Sequence, residues 1–509
     1  MRFRAMAPHP HLRIAALAAL AGAALSFAPA TNSQGALPSM GDPSDLTVGA
    51  ERRLGENIAR ELYRDPDVMD DPILAAHVQA LWDPLMRAAR ARGDITPEQA
   101  EQLAWRVVLV RDRTVNAFAL PGGYFGVHLG MIAATQSRAE LASVLAHELS
   151  HVTQRHIARL LTRQNQQTPL LLAAMLLGAM AASRSPDAAG AAFVGGQALA
   201  AQQQLNFSRD MEREADRVGF GVATEAGYPG SGFVSMFERL YQANRLSDSG
   251  AFPYLRSHPL TTERIADMQS RLPPGELARA GPPDRVHAMM SARARVLAQR
   301  AAIPEPAPRA QDSVADTAAV FYARTLLARQ RGDHAAARAA LARLAEAARG
   351  DAQAEYQVRL LAAETALAEG DAARAANLLP LATTDRAGLL LAAQARLSPD
   401  EARETAGRLL QWVSENPQDA QAWQTLAQAH QAAGQPLRAL RAQAEVLAAQ
   451  GDVSKAVDTL RAAQDRWRKT GPERADDWLD VSIIDARHRE LAERLRRERQ
   501  DDPNRSRGR

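Results

Sequence analysis

The sequence predicts a mainly α protein with one small β-sheet, in two parts: an N-terminal half that mixes strands with helices and a C-terminal half built as an α-solenoid. Three observations predict it. Short β-branched and aromatic runs are confined to residues 105–128. Most other segments carry apolar residues at helical spacing. Beyond about residue 313 the chain is rich in Ala, Leu, Arg and Gln and repeats itself.

The first 30 residues read as an export signal. Arg2, Arg4 and Arg13 are basic, the run 14–27 is apolar and uncharged, and Ala28-Pro29-Ala30 ends it with small residues. A membrane anchor is the alternative, but the run is short of the ~20 residues that span a bilayer. The signal reading places the protein outside the cytoplasm. Residues 31–300 form the first working domain. Within it, 45–64 reads as a helix with Leu54, Ile58 and Leu62 on one face. Asp71 can cap the next helix, about 73–92, with Pro72 in its first turn and Pro84 as a possible kink. Residues 105–110, 115–120 and 124–128 read as strands, with Pro121-Gly122-Gly123 as a turn. A long helix then covers 138–161. Between the motifs described below, 169–201 is strongly apolar and then Ala/Gly-rich. It reads equally as a core helix or as a hairpin that acts as a lid, a substrate guide or a peripheral membrane contact.

A Pro-rich stretch at 301–312 reads as a stiff linker. In 313–509, Gly332, Gly370, Gly434 and Gly451 mark short turns, and each is followed five residues later by Ala: Ala337, Ala375, Ala439 and Ala456. One unit, Trp423, Leu426, Ala427, Gly434 and Ala439, fits tetratricopeptide spacing. An Ala-rich bundle is the plainer alternative. A repeat array presents a concave surface to a protein or peptide, so this half argues binding rather than chemistry.

Composition narrows the chemistry. The 509 residues contain no cysteine, which excludes disulfide frameworks, thiol catalysis and Cys-based metal sites. With 61 Lys+Arg against 58 Asp+Glu and no basic stripe interleaved with aromatics, nothing argues for nucleic acid. With only 12 histidines, a cluster of them stands out. His147-Glu148-Leu149-Ser150-His151 is an HExxH segment. Histidines four apart share a helix face and can reach one metal, and Glu148 is placed to act as general base toward a metal-bound water. The pattern predicts one zinc per chain in a zincin-type metallopeptidase domain. Such a site needs a third protein ligand. Glu212, 61 residues after His151, is the candidate, with Asp216 one turn on to orient a ligand histidine. A charged, solvated face is the alternative for 209–217.

The runs His147–His156, Ser208–Asp216 and Asn116–Gly123 together resemble the zinc metallopeptidases related to the prenyl-protein protease Ste and the heat-shock protease HtpX. With a signal before and repeats after, the layout is similar to periplasmic members of that family. The resemblance implies His147, His151 and Glu212 as zinc ligands and Glu148 as general base. It implies a role in outer-membrane protein quality control, with unfolded or misassembled polypeptides as clients and the outer-membrane assembly machinery met through the repeats. Chaperone or adaptor work by the repeats is the competing reading.

Four further expectations concern the site. Asn116, Ala117, Phe118 and Ala119 form an edge strand that binds an extended substrate; a plain hairpin is the alternative. The resemblance places His258, in a loop before Pro259, near the metal, and it is expected to take zinc's fourth position as a latch; a surface loop histidine is the alternative. Arg264 stabilises the oxyanion. His156 is read as structural.

Overall fold

The computed structural model describes residues 46–163, 209–246, 252–276, 284–301, 303–472 and 477–500. The export signal expected at 1–30 and the apolar segment 169–201 lie outside the described residues.

The chain is mainly helical with one four-stranded sheet. Helix α1 (Val48–Arg64) is capped by Thr47, whose side chain accepts the Ala50 N–H, and it buries Leu54, Ile58 and Leu62. After β1 (Val68–Met69), α2 (Pro72–Ala91) starts with Asp71 accepting the Leu74 N–H and runs through Pro84. Helix α3 (Pro97–Gln102) is opened by a capping box between Thr96 and Gln99. Strands β2 (Arg106–Val110), β3 (Ala117–Leu120) and β4 (Tyr124–His128) complete a sheet of order β1-β2-β4-β3. β2 and β4 run parallel, whereas β3 is antiparallel to β4 and forms an edge. The tight turn into β4 needs Gly122 and Gly123, at φ +76° and +79°. Asn116 precedes β3, and its carbonyl accepts the His128 N–H at 3.0 Å.

Helix α4 (Leu129–Ala134) leads into α5 (Arg138–Thr153), which Ser137 caps through the Glu140 N–H. The single helix expected over 138–161 is in fact two. Helix α5 stops at Thr153, and α6 (His156–Arg163) starts on a new axis after Arg155, which has φ +53°. No Gly or Pro marks this break in the sequence. The described part of this half continues with α7 (Arg209–Glu225), α8 (Ser231–Leu246), the short α9 (Tyr254–Ser257), α10 (Thr262–Ser270) and α11 (Arg285–Leu297). Helix α5 packs against β3, α7 and α8 and is buried on every side from Glu140 to Thr153.

Helices alone make up the described residues from Val314 to Gln500, each packed on its sequence neighbours. Gly332, Gly370, Gly434 and Gly451 all have positive φ and close successive helices, and Ala337, Ala375, Ala439 and Ala456 are buried where those helices approach. One apolar core runs from Val48 through the sheet and α5 to Ala395, so the first helices of the C-terminal half pack directly on the N-terminal half.

Candidate metal centre

Helix periodicity and one close approach build the site. His147 and His151 lie one turn apart on α5. On α7, Glu212, Asp216 and Gly219 share the facing stripe. A Cβ on Gly219 would sit 3.0 Å from the Ala146 carbonyl oxygen, so glycine lets α7 reach α5 beside His147. His258 arrives from another direction, at the end of α9, where its N–H donates to the Tyr254 carbonyl.

These pieces converge. His147, His151, Glu212 and His258 are all buried, and each offers a donor atom within 4.8 Å of the others. His151 Nε2 lies 3.0 Å from His147 Nε2 and 3.5 Å from Glu212 Oε1. His258 Nδ1 lies 3.3 Å from His147 Nε2 and 3.0 Å from Glu212 Oε1. Tetrahedral donors 2.0–2.1 Å from a zinc ion stand about 3.3 Å apart, so this spacing matches such a cage. The chemistry of the set agrees, because nitrogen and carboxylate ligands suit zinc. Two imidazole nitrogens facing each other at 3.0 Å also ask for a cation or a proton between them.

The electrostatics show the same demand. Burial alone would lower His147, but the Asp216 and Glu212 carboxylates outweigh it and raise its pKa to about 10. Burial and the neighbouring His147 push His151 well below the ordinary histidine range. Burial opposes the charge on Glu212, yet His258 and His147 hold its pKa well below the usual carboxylate value. The buried carboxylates therefore draw one positive charge among the imidazoles, and a metal ion can replace the proton that otherwise supplies it. Asp216 Oδ1 is 2.9 Å from His147 Nδ1, close enough to orient that ring although the pair is out of line for a well-formed hydrogen bond.

Glu148 is 2% exposed, and neither carboxylate oxygen has a hydrogen-bond partner. A desolvated, unengaged carboxylate next to a metal cage is what a general base requires. The nearest basic group is His258 Nε2, 3.5 Å from Glu148 Oε1.

Arg264 is where expectation and structure part. Its Nε and Nη2 bond both Asp216 oxygens at 2.6 and 2.8 Å, and Nη1 reaches Glu212 Oε2 at 2.9 Å and the Pro259 carbonyl at 2.8 Å. A guanidinium committed to two carboxylates is not aimed at an oxyanion, so Arg264 holds the Glu212–Asp216 face of α7 in place. His156 has more to do than filling space. It joins His151 to Glu214, and burial lowers its pKa to about 4, which leaves it neutral near pH 7. Tyr254, also unmarked by any motif, stacks on the His258 ring at 4.7 Å. The edge residues Ala117, Phe118 and Ala119 lie on β3, against which α5 packs.

Comparison with known proteins agrees with this geometry. Residues 75–272 match the model of peptidase family M48. The chain is 35% identical over 264 residues to a putative beta-barrel assembly-enhancing protease of Vibrio cholerae, covering 51% of each chain. It is 30% identical over 438 residues to the beta-barrel assembly-enhancing protease of Escherichia coli K12, covering 84% of this chain and 86% of that one. A mitochondrial metalloendopeptidase OMA1 of Arabidopsis thaliana matches 201 residues at 29% identity, or 39% of this chain and 38% of its own. The family match falls on the segment that carries all four converging residues, and the Escherichia coli similarity extends through the helical half. The chain is a zinc metalloendopeptidase and belongs to peptidase family M48.

Proposed function

We propose that this endopeptidase works in the periplasm on outer-membrane β-barrel proteins, degrading misfolded or stalled chains and assisting the assembly of others. The observation that carries this reading is the Escherichia coli similarity, which covers the repeat half as well as the peptidase half of a protein named for barrel assembly. Among the described residues no helix is long and apolar enough to cross a membrane.

His147, His151 and Glu212 would hold the zinc, which supplies Lewis acidity and brings the pKa of a bound water toward ~7. Glu148 takes a proton from the attacking water and passes it to the leaving amide nitrogen. Asp216 and Arg264 keep His147 and Glu212 in place. The free side of β3, from Asn116 to Ala119, offers main-chain hydrogen bonds to an extended substrate, which restricts cleavage to unfolded segments. His258, held between Glu212 and Glu148, occupies the direction from which water would approach, so it acts as a latch in the resting enzyme. The Tyr254 N–H donates to the Val115 carbonyl just ahead of β3, so release of this loop would open metal and strand edge together. We assign tetratricopeptide-like repeats to 313–509, with 301–312 as the linker, and client or assembly-machinery binding to that half.

The seating of His258 also favours a second reading, in which the repeats bind clients and the peptidase stays mostly latched. Glu148→Gln separates the two. It is expected to retain zinc and fold while cleavage of an unfolded β-barrel substrate drops by about 10²–10⁴-fold. Cleavage at the wild-type rate would overturn the role of Glu148. Lost cleavage with barrel assembly still supported assigns the assembly function to the repeats.

A further inference from the structure

His151 turns Nε2 toward the donor cluster and Nδ1 away from it. That second nitrogen lies 2.9 Å from Nδ1 of His156. His156 Nε2 lies 3.1 Å from Glu214 Oε2, and Arg159 Nη1 lies 2.9 Å from the same oxygen. We propose that Glu214 and His156, steadied by Arg159, form a positioning relay that fixes the tautomer of His151 and aims its Nε2 lone pair at the metal.

Ligation of a metal through Nε2 of His151 requires that nitrogen to be unprotonated, and one order of protons along these contacts then satisfies each of them. A carboxylate only accepts, so His156 carries its hydrogen on Nε2 and donates it to Glu214. His151 must then carry its ring hydrogen on Nδ1, so the facing Nδ1 of His156 is a lone pair, and it accepts. The hydrogen between the rings therefore sits on Nδ1 of His151, which leaves Nε2 of His151 unprotonated and able to ligate. Metal-bound histidines ordinarily donate their other N–H directly to a carboxylate or carbonyl. Here a second imidazole is interposed, and the charge on Glu214 acts through it.

The backbone is an independent observation. His151 and His156 are five residues apart, and on one continuous helix their side chains would point about 140° from each other. They meet because α5 ends at Thr153 and α6 restarts at His156. Between the helices Arg155 takes φ +53°, a left-handed conformation that side-chain-bearing residues seldom adopt. Arg155 is tied there by Glu51 Oε2 at 3.3 Å and by the Leu46 carbonyl. The fold thus keeps an unfavourable turn at the one place that returns His156 to the ligand.

The inference rests on His151 being a zinc ligand, and the test separates the two claims. Zinc affinity of the full chain is measured by competition with a chromogenic chelator for wild type, His156→Ala, His156→Gln and Glu214→Ala, with the melting temperature of each zinc-free protein recorded alongside. His156→Ala is expected to bind zinc about 10–100-fold more weakly. Glutamine can accept through its oxygen and donate through its nitrogen, so His156→Gln is expected to stay within about threefold of wild type. Glu214→Ala is expected to fall between them. Equal affinities for wild type and His156→Ala, or equal losses for the Ala and Gln variants, overturn the relay, the latter because packing alone would then explain the loss. Should His156→Ala fail to fold, Glu214→Ala decides, and an unchanged affinity overturns the relay. A wild type that takes up no zinc overturns the ligand assignment as well, whereas tight wild-type binding with an unaffected His156→Ala removes the relay alone.

Discussion

Asp216 and Glu212 are buried carboxylates one helical turn apart, and Arg264 is the cation that makes both tolerable. Replacing Arg264 with Ala leaves those charges without their partner, a change that typically costs about 3–5 kcal/mol. Urea unfolding of zinc-free Arg264→Ala should show a loss of that order, with reduced zinc content in the purified protein. Arg264→Lys should recover only part, because an ammonium cannot bridge Asp216 bidentately. Wild-type stability in Arg264→Ala would contradict the positioning role. His258 is testable at the same scale. If it latches the site, His258→Ala should keep zinc and cleave an unfolded substrate faster than wild type, and activity at or below wild type with zinc retained would refute the latch. The HExxH pair was legible because helix periodicity sets i and i+4 on one face, whereas Glu212 became a candidate only beside that pair and through the family resemblance. Arg264 was not, since its partner lies 48 residues away in sequence and meets it only through the packing of α10 on α7.

Helices α2, α4 and α11 meet over a buried histidine pair. His77 Nε2 lies 3.2 Å from His287 Nδ1, and His287 Nε2 reaches the Thr135 hydroxyl at 3.1 Å. Burial, reinforced by the neighbouring His287, holds His77 well below its ordinary pKa, and burial likewise lowers His287. Both are neutral in the fold and protonate near 6.5 when unfolded. The unfolded chain therefore binds more protons below that pH, and stability is lost as pH falls through about 6.5. The melting temperature should drop between pH 7.5 and pH 5.5, and His77→Gln should flatten that dependence. An equally steep profile in His77→Gln would place the acid sensitivity elsewhere. No motif announces this pair, because its members lie 210 residues apart. Element boundaries show the converse. The Gly turns of the helical half could be read in sequence because left-handed turns favour glycine. The break at Arg155 escaped, since there a side-chain-bearing residue holds the same conformation through tertiary contacts.

Across the whole molecule, the two halves are joined by more than their linker. Arg293 on α11 is 1% exposed and forks onto Asp71, the cap of α2, with Nε to Oδ1 at 2.8 Å and Nη2 to Oδ2 at 2.5 Å. It also binds Glu364 on helix Ala352–Ala368, through Nη1 at 2.8 Å and Nη2 at 3.0 Å. Arg386 on helix Arg386–Gln394 repeats the pattern nearby, bridging Asp70 and Asp419. The Pro-rich stretch could be read as a separator, and Asp70-Asp71 read only as a helix start. That the same aspartates also anchor the helical half depends on contacts across hundreds of residues, which composition and periodicity do not encode. Removing Arg293 leaves Asp71 without its cation at a buried junction and Glu364 with Arg329 alone, so Arg293→Ala should cost about 3–5 kcal/mol. The loss should concentrate at the junction, where the shared core depends on this pairing. Limited proteolysis should then cut Arg293→Ala in the 303–308 stretch well before wild type, and unfolding should split into two transitions. Arg468→Ala, which removes an exposed pair with Asp465, should digest and unfold like wild type. If Arg293→Ala keeps a single transition and wild-type protease resistance, the apolar core alone holds the halves together and the ionic clamp is dispensable.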